Sequence, residues 1–507
     1  MTSSLSEQDR SVLRTAAYGA VTLISAADAA GSPHKAAAEG SAALAATTGP
    51  IGHVLAKNPR GKDLAGGSVA EIADRVLPAL TESVALLRRQ LPAEAENFRR
   101  AVRIAVTAAS ASRPGEPGPS VAEMARQITE ALDAAEETPR DTGEAAGRDR
   151  ADLRAAARAF VDAGFGGIQL RVHDEHGQWA GSAGVRASGA TVGPPVDGHF
   201  WIGSTTKTFT ATLVLQLVDE GRLDLDGPVA DHLPEFGLDP RITVRMLLQH
   251  TSGLYNYTGE LTPEGDFEPG IDATGKAWVE NRLRAYRPEE LVRFALSRPP
   301  RFEPGTDQGY ANTNYTLALL LIEKAAACTY AEALERRIVR PLGLTGTVSP
   351  AAGAVDAADL PEPHSRGYFR YQDGEEWRTV DVTRQNSSLL AGAGHLISTT
   401  RDLQVFLSAL LSGRLLPEGL LDEMRTPHGK LGLGLGLWVQ ELDPDRGITV
   451  VHHNGGAPGG FGSLMVATPD GRRTLTAGLT TGESATDPAA AFPAALGALL
   501  GAVFLDS

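Results

Sequence analysis

The sequence predicts an α/β (α+β) domain with an antiparallel sheet near its end, preceded by an N-terminal helical bundle. Three observations carry this. Residues 69–91 repeat apolar side chains at helical spacing within an alanine-rich stretch. Residues 166–186, "GGIQLRVHDEHGQWAGSAGVR", alternate apolar and polar residues up to a polar turn and then resume. Residues 448–480 read as three strands in succession, the last two joined at Asp470-Gly471, a hairpin turn signal.

In chain order, residues 1–137 are almost free of aromatics, Tyr18 and Phe98 being the only two. Ile72, Val76, Leu80 and Val84 fall on one helical face, continued by Leu87 and Leu91. "LSEQ" at the front has the form of a capping box around Ser6 and Glu7. About five helices are expected, with "SRPGEPGPS" (112–120) as a loop between two of them. His34 and His53 stand alone, so the segment is read as a helical accessory domain with a protein partner rather than as a site of chemistry. Residues 138–150 are polar and charged and are expected to be a linker. From 151 to 507 a short helix, "LRAAARAFVDAG", leads into the hairpin, and helices then alternate with hairpins to the end.

The bulk numbers exclude some functions. The 507 residues carry a formal net charge of −15, from 47 basic and 62 acidic side chains, which argues against nucleic acid or an anionic membrane as partner. The first 140 residues sum to about −1, so nearly all the excess lies downstream. Cys328 is the single cysteine, so neither an intramolecular disulfide nor a cysteine zinc site is expected. No apolar run is long enough for a membrane span, and the start lacks a basic-then-apolar leader. The expected location is cytoplasmic. There is no G-x-S-x-G elbow, no H-E-x-x-H and no phosphate loop. "HDEH" (173–176) sits on a hairpin tip, and His452 and His453 are adjacent on a strand and face opposite ways, so no metal and no cofactor is expected.

Three short stretches could carry chemistry. In "GSTTK", Ser204 precedes Lys207 by three residues at the start of an apolar helix. One reading is a helix cap. The other is a serine nucleophile with a lysine base on the same face, the amine's pKa lowered by burial. In "GYAN", Tyr310 and Asn312 precede a second apolar helix. Either Asn312 or Thr313 caps that helix, or the tyrosine is a phenolic acid/base and the asparagine bonds an amide. In "HHNGG", His453, Gly455 and Gly456 follow an apolar strand, where glycines let a substrate approach and the Gly456 N–H could face an oxyanion together with the Ser204 N–H. Ser252, in "QHTSGL", is read as structural.

In this order, S-x-x-K, Y-x-N and H-x-G, the chain resembles the serine β-lactamase and penicillin-binding protein superfamily. It is most similar to the branch of class C β-lactamases, family VIII esterases and D-alanyl-D-alanine carboxypeptidases. "LVDEGRLDLDGPVADHLPEF", "ITVRMLLQHTSGL", "FEPGTDQGYANTNYTLALLLIEK", "RIVRPLGLTGT" and "AGAGHLISTTRDLQVFLSALLSG" extend the likeness over about residues 150–500. The resemblance implies a β-lactamase/transpeptidase-like domain, with an antiparallel sheet flanked by helices and an all-helical subdomain. It implies a serine hydrolase working through an acyl-enzyme on a small-molecule ester, amide or peptide. Ser204 would be the nucleophile. Lys207 and Tyr310 would form a coupled acid/base pair, and Asn312 would hold the substrate amide or the lysine. His453 would take the place of the K-T-G lysine, and Gly456 would give the second oxyanion N–H. Two positions depart from the carboxypeptidase pattern. Gly456 stands where relatives carry a hydroxyl for a C-terminal carboxylate, and "GLGLGLWVQELD" offers no arginine. The resemblance therefore favours esters or D-amino-acid amides. A D-alanyl-D-alanine carboxypeptidase, a β-lactamase and a non-catalytic interaction module are the alternatives.

Overall fold

The computed structural model describes residues 7–27, 33–47, 49–56, 69–110, 118–134, 150–261, 267–350, 358–483 and 488–505. The chain divides into two compact units, Met1–Glu144 and Ala145–Ser507.

The first unit is helical. Its described helices are α1 (Glu7–Ala27), α2 (Pro33–Ala45), α3 (Gly49–Leu55), α4 (Val69–Gln90), α5 (Pro92–Ser110) and α6 (Pro119–Ala134). That is six among the described residues, against about five expected. The additional one is α3, whose seven residues make fewer than two turns and so display no apolar period. Pro119 and Ser120, expected in a loop, open α6, because proline's fixed φ suits a first helical turn. Ser6 of the expected capping box lies outside the described residues. The stripe on α4 is buried at Ile72, Val76, Leu80, Val84 and Leu87. A Cβ on Gly19 of α1 would lie 2.6 Å from Val76 Cγ2, so α1 and α4 touch where the residue is smallest. The alanine-rich composition fits such close helix packing.

Most of the expected linker lies outside the described residues, but its last residue does not. Arg150 pairs with Asp174 at 2.6 Å, with both side chains largely buried. The second unit then opens with α7 (Ala151–Asp162) and the hairpin β1 (Phe165–Asp174) and β2 (Gly177–Gly184). Near the end come β3 (Trp438–Asp443), β4 (Ile448–Gly456), β5 (Phe461–Ala467) and β6 (Thr474–Thr481). They form one six-stranded sheet in the order β2-β1-β6-β5-β4-β3, with every neighbouring pair antiparallel.

Period-two alternation divides the sheet's side chains between two layers. Ile168, Leu170, Val172, Leu464, Val466, Leu475 and Leu479 pack with Phe160 of α7 and with Leu499 and Phe504 from the chain's last helical segment. The intervening positions face a helical body. Its centre is α8 (Thr206–Asp219), whose residues from Thr206 to Leu215 are all buried. A helix buried all round needs partners for its hydroxyls. Thr208 donates to the Gly436 carbonyl at 2.9 Å and Thr210 to the Gly392 carbonyl at 2.7 Å. α9 (Asn312–Ala326) is buried in the same way from Thr313 to Ile322. α10 (Thr400–Leu411) packs on α8 through stacked Phe209 and Phe406 rings, 3.6 Å between centroids. Among the described residues no helix is long and apolar enough to cross a membrane.

Candidate active site

Three segments meet where α8 begins. The chain leaves a short strand at Phe200–Trp201, makes a 3-10 turn at Gly203–Thr205 and enters α8. Gly203 has φ +49, and a Cβ there would lie 2.5 Å from the Gly456 carbonyl. A Cβ on Gly455 would strike the Ile202 carbonyl oxygen and sit 2.8 Å from the Ser204 nitrogen. Turn and strand therefore touch backbone to backbone, which only glycine permits. Over Gly456 itself the space is open.

The capping readings fail. Neither the 3-10 turn nor α8 has a side-chain cap, and α9 has none either. The hydroxyls are used elsewhere. Thr205 Oγ1 lies 2.8 Å from Ser463 Oγ and donates to the His453 carbonyl at 3.3 Å, while Ser463 Oγ donates to the Ile202 carbonyl at 2.7 Å. Thr313 donates to the Tyr255 carbonyl at 2.7 Å. The Thr205 and Ser463 bonds tie the turn at Gly203–Thr205 to the sheet.

Lys207 is fully buried. Its Nζ lies 3.1 Å from Ser204 Oγ, 2.8 Å from Asn312 Oδ1 and 2.9 Å from the Ala393 carbonyl. Desolvation pushes its pKa well below the usual lysine range. Two of the three partners can only accept, and a neutral amine has two N–H groups to give them. Its lone pair is then left for the Ser204 hydroxyl. Asn312 is used on both sides, since its Nδ2 donates to Thr258 Oγ1 at 3.2 Å. Of the two expected roles for Asn312, the geometry contains the lysine contact.

The Tyr310 ring lies 4.7 Å from Lys207 Nζ. Burial raises its phenol pKa, opposed in part by a hydrogen bond with Ser204. At neutral pH it is a protonated phenol. His453 is 2 % exposed, its Nδ1 lies 2.8 Å from the Asn454 carbonyl, and desolvation pushes its pKa down to about 3. At neutral pH it is uncharged. Its Nδ1 carries the proton given to Asn454, which leaves Nε2 as an acceptor.

The end of β4 is an open edge. Ala457 N–H donates to the Phe461 carbonyl at 3.0 Å, and Gly455 pairs with Ser463. Alternation turns the Gly456 peptide the other way, toward the side where β3 last pairs at His452↔Trp438. Trp438 stacks on His452 at 6.3 Å and on Tyr310 at 6.4 Å between centroids. All seven expected site residues thus come together. Ala393, Thr258, Ser463, Trp438 and His250 were not foreseen. Ser252 donates to Asn314 Oδ1 at 2.6 Å, a structural bond. Among the described residues no group of three or more metal-ligating side chains is gathered.

Residues 128–500 match the family model described as Beta-lactamase. A D-stereospecific amidohydrolase from Streptomyces sp. is 36% identical, with a TM-score of 0.60, over 71% of this chain and 99% of that one. Esterase EstB of Burkholderia gladioli is 34% identical over 199 residues, 36% of this chain and 46% of the esterase. Penicillin-binding protein 4* of Bacillus subtilis is 28% identical over 292 residues, 54% of this chain and 59% of that protein. The chain thus spans about half the length of the curated relatives it matches.

Proposed function

The chain belongs to the beta-lactamase family, and from that premise and the geometry of the site we propose that it is a serine hydrolase that acts through an acyl-enzyme on esters or amides without a free C-terminal carboxylate, including amides of D-amino acids. The observation that carries this is the fully buried amine of Lys207, 3.1 Å from Ser204 Oγ and held by Asn312 Oδ1 and the Ala393 carbonyl.

Ser204 Oγ attacks the carbonyl carbon as its proton passes to the Lys207 lone pair. The Ser204 and Gly456 N–H groups receive the oxyanion. The C–O or C–N bond then breaks as the Tyr310 hydroxyl protonates the leaving group, and Lys207 returns its proton to Tyr310. Water repeats the sequence on the acyl-enzyme and releases the acid. Asn312 and Ala393 hold the amine in place throughout.

The substrate class is supported by charge. A carboxylate bound beside Gly456 would meet a neutral His453, and position 456 itself offers no hydroxyl. Two relatives are named as an esterase and a D-stereospecific amidohydrolase, which supports an ester or amide as substrate. A purely structural role is disfavoured, because a fully buried amine is costly to keep. The helical unit carries none of these residues, which supports an accessory role for it.

The test compares p-nitrophenyl esters and D-amino-acid amides with peptides ending in a free D-alanyl carboxylate. Wild type is expected to turn over the first two, and Ser204→Ala to lose both. Preference for the free carboxylate, or unchanged turnover by Ser204→Ala, would refute the proposal.

A further inference from the structure

Tyr310 does not lie in a helix or a strand. It sits in the turn before α9, flanked by Gly309 and by extended Ala311 (φ −145, ψ 129). Such a turn has no ladder of its own to fix a side chain, so whatever holds it comes from elsewhere in the fold. One residue touches all three of its members. The His250 carbonyl accepts the Gly309 N–H at 2.9 Å. The His250 ring stacks on the Tyr310 ring, 4.3 Å between centroids at 29°. His250 Nδ1 accepts the Ala311 N–H at 3.1 Å.

His250 is itself strongly held. It follows the short helix Val244–Leu248 and is 1 % exposed. It is one of two non-glycine residues with positive φ among the described residues, at +61. That conformation is unfavourable for most side chains and is tolerated best by asparagine, aspartate and histidine. Asn314 Nδ2 lies 3.0 Å from the same Nδ1, and its Oδ1 accepts from Ser252 Oγ at 2.6 Å. With two N–H groups aimed at it, Nδ1 carries a lone pair, so the ring is the neutral Nε2–H tautomer. Nε2 has no hydrogen-bond partner among the described residues. Every bond of the side chain therefore runs to the turn or to the asparagine behind it. The ring's second aromatic contact is with Tyr315, 5.3 Å away on α9.

We propose that His250 is the positioning residue for Tyr310, a neutral aromatic platform that fixes the phenol over Ser204 so that it can protonate the leaving group. This rests on the role given to Tyr310 above. His250 touches neither substrate nor Ser204 in this scheme. It acts by removing the freedom of a three-residue turn, and a misplaced proton donor is expensive in rate.

The consequence is chemical selectivity. A p-nitrophenolate leaves as the anion and needs no proton donor, whereas an alkoxide does. His250→Asn suits the left-handed backbone and can still present an oxygen to the Ala311 N–H, but it removes the ring. For two esters of one acid, kcat/KM reports acylation. The variant is expected to lose on the order of 10²-fold with the ethyl ester and less than about 10-fold with the p-nitrophenyl ester. Tyr310→Phe should show the same pattern, and His250→Asn should cost nothing further in that background. His250→Gln, whose amide oxygen can also face the turn, gives the same comparison should the asparagine variant not fold. Equal losses for both esters, or a full further loss in the Tyr310→Phe background, would overturn the role of His250. Wild-type ester turnover by Tyr310→Phe and Ser204→Ala would instead overturn the reading of the whole site.

Discussion

Lys207→Met lowers kcat on neutral esters by on the order of 10⁴-fold or more. Methionine approximates the stem of the lysine but has no lone pair for the Ser204 proton. No neighbour replaces it. Burial keeps the Tyr310 phenol protonated, His250 Nδ1 already accepts the Ala311 N–H, and desolvation makes the His453 ring a weak base with a pKa of about 3. The same variant has a stability signature. An unfolded lysine titrates near 10.5, while burial sets the folded value well below it. Between the two, the unfolded chain binds a proton that the native chain does not. The stability contributed by Lys207 is thus fully present above pH 10.5 and is lost as the pH falls toward its folded pKa. The methionine variant lacks this dependence. Wild type should therefore gain on the variant between pH 7.5 and 9.5 in urea unfolding. A constant difference would mean that the amine is not held neutral.

Acidification from pH 7.5 to 5.5 destabilises the second unit by about 4 kcal/mol or more, roughly 1.4 kcal/mol for each histidine that desolvation keeps neutral. His395 and His453 are pushed down to about 3 and His452 to about 4, chiefly by desolvation, and His250 is lowered in the same direction. The unfolded chain takes up these protons below the usual value of 6.5 and the native chain does not, so stability falls with pH from there toward 4. Burial raises Glu260, Glu323 and Asp402, which act in the opposite sense only as the pH enters the carboxylate range. The readout is specific. All five tryptophans, at 179, 201, 278, 377 and 438, belong to the second unit. Their fluorescence in a urea titration should show a midpoint that drops sharply between the two pH values. An unchanged midpoint would mean that these rings are charged or solvated in the native state.

The legible part of this molecule is what a local pattern can encode. The α4 stripe, the β1–β2 hairpin and the β4–β6 meander each show their period within a single segment. Ser204, Lys207, Tyr310, Asn312 and the glycines at 455 and 456 each sit at the end of such a segment, so placing the elements nearly places the site. The missed parts act across the chain. Ala393 contributes only a carbonyl, which any residue has. Ser463 reaches Ile202 across 261 positions. His250 holds Tyr310 from sixty residues away, and its own stretch, "QHTSGL", looks like an ordinary turn. The cap reading of "GSTTK" failed for a related reason. Capping is a local use of a hydroxyl, and here the buried turn commits Thr205 to the sheet and Ser204 to the cleft. The short helix α3 escaped notice because seven residues are too few to display a period.

Peptide mass mapping after labelling with a fluorophosphonate tests the assignment of Ser204 as nucleophile. A single adduct on the peptide that contains Ser204, absent from Ser204→Ala, is the expected result. An adduct on another residue, or labelling that persists in Ser204→Ala, would contradict it.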